Sequence, residues 1–210
     1  MTDNLESIAE QLRLYLAAKD AAREKGLPFC RDTIRYCSRA IRAVHRHEFD
    51  RATELIGSAR NLLGEVEQVV AAYSELGNSG YVRDAQKEFA EASIILALVS
   101  GERIPDPAEL GIEAAAYLNG MGEAASELRR YLLDSMRQGD LSRGEEFLAA
   151  MDDVYNVLVT MDFPDAITGG LRRTTDMLRG VLERTRSDLT LVMRQKDLEN
   201  RLERLEGDIG

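Results

Sequence analysis

The sequence predicts an all-α fold, a single antiparallel bundle of seven helices, and three observations carry that expectation. Only four prolines interrupt 210 residues, at 28, 105, 107 and 164, and between them Ala, Leu, Arg and Glu recur with helical period. No stretch alternates apolar and polar residues in the manner of a strand. The breaks are short turn-forming clusters, and short connections between long amphipathic helices make sequential neighbours antiparallel.

Taken in order, the first helix runs at about 3–25 and stops at "KGLP", and the second occupies about 31–47. A third spans about 49–76 up to "LGNSG", and a fourth, about 80–100, ends in "SGERIPDP". The remaining three cover about 107–138, 141–161 and 164–205, with "QGD" and "DFPD" between them. No repeat period or low-complexity linker divides the chain, so residues 1–210 are expected to form one domain. Neither an apolar run of transmembrane length nor a leader-like start is present, which points to a soluble, cytoplasmic protein without a membrane partner. Cys30 and Cys37 can build neither a disulfide scaffold nor a zinc quartet and read as partly buried free thiols.

A net charge of −10 argues against a nucleic-acid partner if charge is averaged over the surface. The pattern argues otherwise. Of 27 basic residues only four are lysines, which leaves 23 arginines, the cation suited to bidentate contact with phosphate or carboxylate. In "RDTIRYCSRAIRAVHRHEF", Arg31, Arg35, Arg39, Arg42 and Arg46 fall within an arc of about 80° on an ideal helix, flanked by Ser38 and His45. Five arginines in an arc that holds no acid repel one another unless an anion compensates, although acids on a neighbouring helix could do so. A second line, Arg172, Arg179 and Arg186, recurs every seven residues, with Asp176 and Glu183 close enough to pair with it. With no Trp, 7 Tyr and 5 Phe, a platform for stacked single-stranded bases is poorly supplied. Arginine ridges suit phosphates and helical shape, and so a duplex or structured RNA, with Tyr36 and Tyr81 left as candidate stackers.

Two acidic pairs stand out against apolar surroundings. "KEFAEA" places Glu88 and Glu91 on one helical face, with Asp84 a turn earlier, and the same face runs on into Ile95 and Leu98. "AAYLNGMGEAASELRRYLLDSM" places Glu123 and Glu127 a turn apart, opposite the stripe of Leu118, Met121, Ala125, Leu128 and Leu132 and beside the small Ala116 and Gly120. Four carboxylates on two neighbouring helices would repel if ionised together, and a hard divalent cation, Mg²⁺ or Mn²⁺, is the natural remedy. A ferritin-like di-metal oxidase needs two Glu-x-x-His motifs, and the only histidines are His45 and His47.

The blocks "SRAIRAVHR", "KEFAEA", "YLNGMGEAASELRR", "SMRQGD", "FLAAMDDVYNVL" and "FP", in this order over about residues 31–190, resemble the translin superfamily. They are most similar to its translin-associated factor X (TRAX) branch in the archaeal, stand-alone form. The resemblance implies a seven-helix subunit, a hollow homo-oligomeric shell, expected as an octamer, that binds RNA inside, and metal-dependent endoribonuclease activity. It also implies site residues. Glu88 and Glu91 match the branch's Glu-x-x-Glu, Glu127 in "SELRR" matches the Glu of the next helix, and Glu123 stands where the family usually has Asp, one methylene shorter. All four are expected to hold Mg²⁺ or Mn²⁺ and to be catalytic, with Arg35, Arg39, Arg42, His45, Arg46, Arg172, Arg179 and Arg186 on the RNA. The alternative is a non-catalytic RNA- or single-stranded-DNA-binding oligomer like translin itself.

Overall fold

The computed structural model describes residues 3–209, with side chains through 205. Among the described residues all regular structure is helical, in six long helices and three single turns. They are α1 (Leu5–His45), α2 (Phe49–Val70), α3 (Ser74–Gly77), α4 (Gly80–Ser100), α5 (Pro107–Leu110), α6 (Ala114–Arg137), α7 (Gly144–Val159), α8 (Asp165–Thr168) and α9 (Leu171–Ile209).

The expected all-α bundle is present, with its elements cut differently. The first two expected helices are one, α1, which runs through "KGLP" with Pro28 inside it. A proline costs a helix interior about 3 kcal/mol, and tertiary packing outweighs that here. Gly26, Cys30 and Thr33 are buried on both sides of Pro28, the Thr33 hydroxyl donates to the Phe29 carbonyl at 2.9 Å, and a methyl added at Gly26 would stand 3.8 Å from the Tyr81 hydroxyl and from Val70. The expected 107–138 helix is split because Pro107 and an Asp106–Glu109 capping box start α5, and Gly111, at φ 68°, ends it after one turn. The expected 164–205 helix breaks likewise at Gly169 and Gly170, with φ of 62° and 86°.

The core lies where α4 and α6 cross the middle of the bundle. On α4, Phe89, Ala90, Ala92, Ile94 and Ile95 are fully buried against α1, α2 and α6. On α6, Leu128 and Leu132 meet Met151 of α7 and Leu178 and Leu189 of α9. A smaller cluster around Cys30, Val66, Val70 and Leu76 closes the end where α3 lies, and both thiols are fully buried and free. Burial of this surface, at about 25 cal/mol per Å², is the main force holding the helices together.

The start of α1 and the end of α9 leave this core and present apolar side chains to solvent. Leu5, Leu12, Leu14 and Leu16 on one, and Leu191, Leu198, Leu202 and Leu205 on the other, are each more than half exposed. No described helix is long and apolar enough to cross a membrane.

Candidate metal centre and arginine ridge

Glu88 and Glu91 meet Glu123 because the backbones of α4 and α6 nearly touch beside them. At Gly120 a methyl group would stand 2.6 Å from the Lys87 carbonyl oxygen and from Ala90 Cβ, and 3.1 Å from the Glu91 nitrogen. Only glycine allows this approach, and one turn further along α6 it delivers Glu123 to the two acids of α4. Glu88, Glu91 and Glu123 each bring one oxygen into a group whose members all lie within 4.8 Å of one another.

The charge in this group is poorly compensated. Burial, and then the charges of Glu88, Glu123 and Glu127, push the Glu91 carboxyl up to about 8, against a small opposing effect of Lys87. Glu88 is raised as well, by burial first, which Lys87 offsets in part. The Lys87 ammonium donates to Glu123 Oε1 at 2.8 Å and stands 3.9 Å from Glu88. Cys37 of α1 looks toward the same acids, and its buried thiol is raised further by Glu88 and Glu91, so it stays protonated. Three oxygen donors on two rigid helices, with the Glu91 carboxyl pushed up by burial and by its acidic neighbours, suit a hard divalent cation.

Glu127 is not in this group. Its Oε1 accepts from His45 Nε2 at 2.6 Å and from Arg130 at 3.3 Å. His45, expected from the sequence to flank the ridge on the RNA, points inward with its side chain 9% exposed, and its Nδ1 is buried without a hydrogen-bond partner, 3.7 Å from Asp134. His45 thus ties α1 to the acidic helix α6.

Arg35, Arg39, Arg42 and Arg46 are exposed, and with Glu48, Arg51 and Leu55 they line an open groove of about 430 Å³ between α1 and α2. Asp32, at the edge of the arc, pairs with Arg35 at 3.0 Å. The Arg39 guanidinium lies 5.6 Å from the Tyr36 ring centre, and Arg42 Nε donates to the Ser38 carbonyl at 3.1 Å. Among the described residues no carboxylate comes within 4 Å of Arg39, Arg42 or Arg46. On α1 the four arginines stand about 60–120° round from His45 on an ideal helix, so the ridge and the histidine that holds Glu127 occupy adjoining faces. The second line is engaged differently. Arg172 pairs with Asp162 at 3.3 Å and Arg186 with both oxygens of Asp152, acids that precede α9 rather than the Asp176 and Glu183 expected from sequence.

Lys87 has no signature in the sequence. Nothing in "KEFAEA" shows that it reaches across to α6, which is a property of the helix crossing.

The chain is 30% identical over 197 residues to the uncharacterized protein MJ0175 of Methanocaldococcus jannaschii, covering 91% of this chain and 86% of that protein. AfC3PO, whose structure is known by itself and in a complex with duplex RNA, is 32% identical and superposes with a TM-score of 0.78, covering 89% of this chain and 97% of its own. Apo-NeC3PO shares the fold, with a TM-score of 0.77 at 18% identity over 91% of this chain and 98% of its own. No protein-family model matches the chain.

Proposed function

Because the chain belongs to the translin superfamily, in the family of AfC3PO, we propose that it is an endoribonuclease of the TRAX-like branch that cuts duplex or structured RNA with carboxylate-held Mg²⁺ or Mn²⁺. The observation that carries this reading is the convergence of Glu88, Glu91 and Glu123, with Glu91 raised to about 8. Bound by these three, the ion would supply the activation of water and the neutralisation of phosphate charge that phosphodiester hydrolysis requires.

The chain's own groups then have distinct tasks. Glu91 must give up its proton to become a ligand, and that release couples ion binding to pH. Glu127, expected from the resemblance to join the ligands, is held by His45 beside them, where it adds negative charge at Glu91. Arg39, Arg42 and Arg46 remain free to meet phosphates, and Arg35 can exchange Asp32 for one. Of the second line, Arg179 is the member with no carboxylate within 4 Å among the described residues, and Arg172 and Arg186 would have to leave their partners.

The test is cleavage of an end-labelled RNA duplex by the purified wild-type protein. Products should appear with Mg²⁺ or Mn²⁺ and be absent with a chelator. One observation favours the second reading, a non-catalytic RNA-binding oligomer: Lys87 already neutralises Glu123. Binding of the duplex with no cleavage under either metal would select it.

If the ridge meets phosphates, Arg39→Ala should weaken binding of unrelated RNA sequences equally and reduce the salt slope by roughly one unit for each phosphate no longer neutralised. Unchanged affinity and slope would remove the ridge from the RNA interface. The exposed leucines of α1 and α9 need cover, which supports a homo-oligomer, and the resemblance adds the expectation of eight subunits with basic faces turned inward. Light scattering should therefore give about eight times 23.4 kDa, and a stable monomer at micromolar concentration would rule the shell out.

A further inference from the structure

Lys87 stands at the border between two spaces. On one side are the carboxylates, with Nζ 2.8 Å from Glu123 and 3.9 Å from Glu88. On the other is an open cleft of about 830 Å³ between α4, α6, α8 and α9, which Lys87 and Glu123 both line. Arg83, one turn before Lys87 on the same face of α4, and Arg173 of α9 line it as well, and both are exposed. Among the described residues neither guanidinium has a carboxylate within 4 Å. Asn119 is occupied in building the wall, since its amide nitrogen donates to the Ala115 and Thr168 carbonyls and its oxygen accepts from Thr174. Asp84 and Asp165 line the cleft as well, so Arg83 and Arg173, neither held by a carboxylate, stand among acids in a framework fixed by other groups.

An ammonium and a divalent ion compete for the Glu123 carboxylate at close range, because the two cations repel each other. The lysine side chain is long, rotatable and only partly buried, with 27% of it exposed, so it can leave. We propose that Lys87 is an exchangeable counter-ion: it holds Glu123 when the carboxylates carry no divalent cation, and turns into the α4–α6–α9 cleft beside Arg83 and Arg173 to take an RNA phosphate when they do. The inference rests on the metal reading of Glu88, Glu91 and Glu123. Its consequence is reciprocal coupling. A phosphate that draws Lys87 away strengthens metal binding, and a bound metal that expels Lys87 strengthens the grip on phosphate by the same factor.

The experiment measures Mn²⁺ affinity by calorimetry at one fixed pH and ionic strength, for wild type, Lys87→Met, Lys87→Arg, Arg83→Met and Glu91→Gln. Lys87→Met should bind Mn²⁺ about fivefold to tenfold more tightly. Lys87→Arg should stay near wild type, and Arg83→Met, which removes the same charge one turn away, should change affinity less than about twofold. A 2′-O-methyl oligoribonucleotide should raise the Mn²⁺ affinity of wild type several-fold more than that of Lys87→Met. The same rise with sulfate alone would still support the exchange and assign the cleft to phosphate-like oxyanions in general. If Lys87→Met binds Mn²⁺ no better than Arg83→Met while Glu91→Gln loses it, the exchange is overturned and the metal site stands. If Glu91→Gln binds Mn²⁺ as wild type does, the metal site itself is wrong.

Discussion

Glu91→Gln is expected to raise the thermal midpoint of the metal-free protein by roughly 5 °C at pH 9 and to leave it nearly unchanged at pH 4. In the folded protein the carboxyl is pushed up to about 8 from an ordinary value of 4.5, by burial and by Glu88, Glu123 and Glu127. Between those values the folded chain keeps a proton that the unfolded chain has lost. The contribution of Glu91 to stability is thus whole below about pH 4.5 and is lost as pH rises through 8. Glutamine has the same shape and no charge to ionise, so the variant escapes the loss. Mn²⁺ should reverse the order, because it stabilises wild type by binding the folded state and finds one ligand fewer in the variant. Parallel pH profiles for the two proteins would mean that Glu91 is an ordinary solvated acid.

Gly120→Ala should act on the same site from below, and with a larger cost. The added methyl would meet the Lys87 carbonyl oxygen and Ala90 Cβ at 2.6 Å, and a helix backbone cannot step aside as a flexible side chain can. We expect a loss of about 2–3 kcal/mol, or about 5–10 °C. Separation of α4 from α6 also moves Glu123 away from Glu88 and Glu91, so Mn²⁺ affinity should fall even where the variant is fully folded. A misplacement of this kind can cost a reaction about 100-fold. Gly57 and Gly64, in the interior of α2, provide the contrast. A methyl at either meets nothing within 4 Å, and each change to Ala should stabilise by about 0.5–1 kcal/mol. If Gly120→Ala matches wild type in midpoint and Mn²⁺ affinity, the close helix crossing does not set the site.

The features legible in the sequence are those that depend on one helix at a time. The i, i+3 spacing of Glu88 and Glu91 puts them on one face whatever the tertiary fold, and the arginine ridge of α1 is exposed for the same reason. Signals that compete with packing are less readable. "KGLP" carries the local chemistry of a helix stop, yet burial on both sides of Pro28 carries α1 through it, whereas Gly111 and the Gly169–Gly170 pair, which do break helices, look milder in the sequence. Partners across elements are not legible. His45 with Glu127, Lys87 with Glu123 and Arg186 with Asp152 are 82, 36 and 34 residues apart, and only the crossing of the helices brings them together. For that reason the expected set of four acids appears as three converging carboxylates and a fourth held by histidine.

The most direct test of a carboxylate-held metal that cuts RNA is a paired measurement on Glu91→Gln and Glu123→Gln, each scored for cleavage and for binding of one labelled RNA duplex in Mg²⁺ and in Mn²⁺. Both variants should lose cleavage and bind the duplex as tightly as wild type or slightly more so, since each removes a carboxylate from beside the phosphates. Wild-type cleavage by both variants, in preparations free of contaminating nuclease, would contradict the assignment and leave an RNA-binding shell as the better account of the molecule.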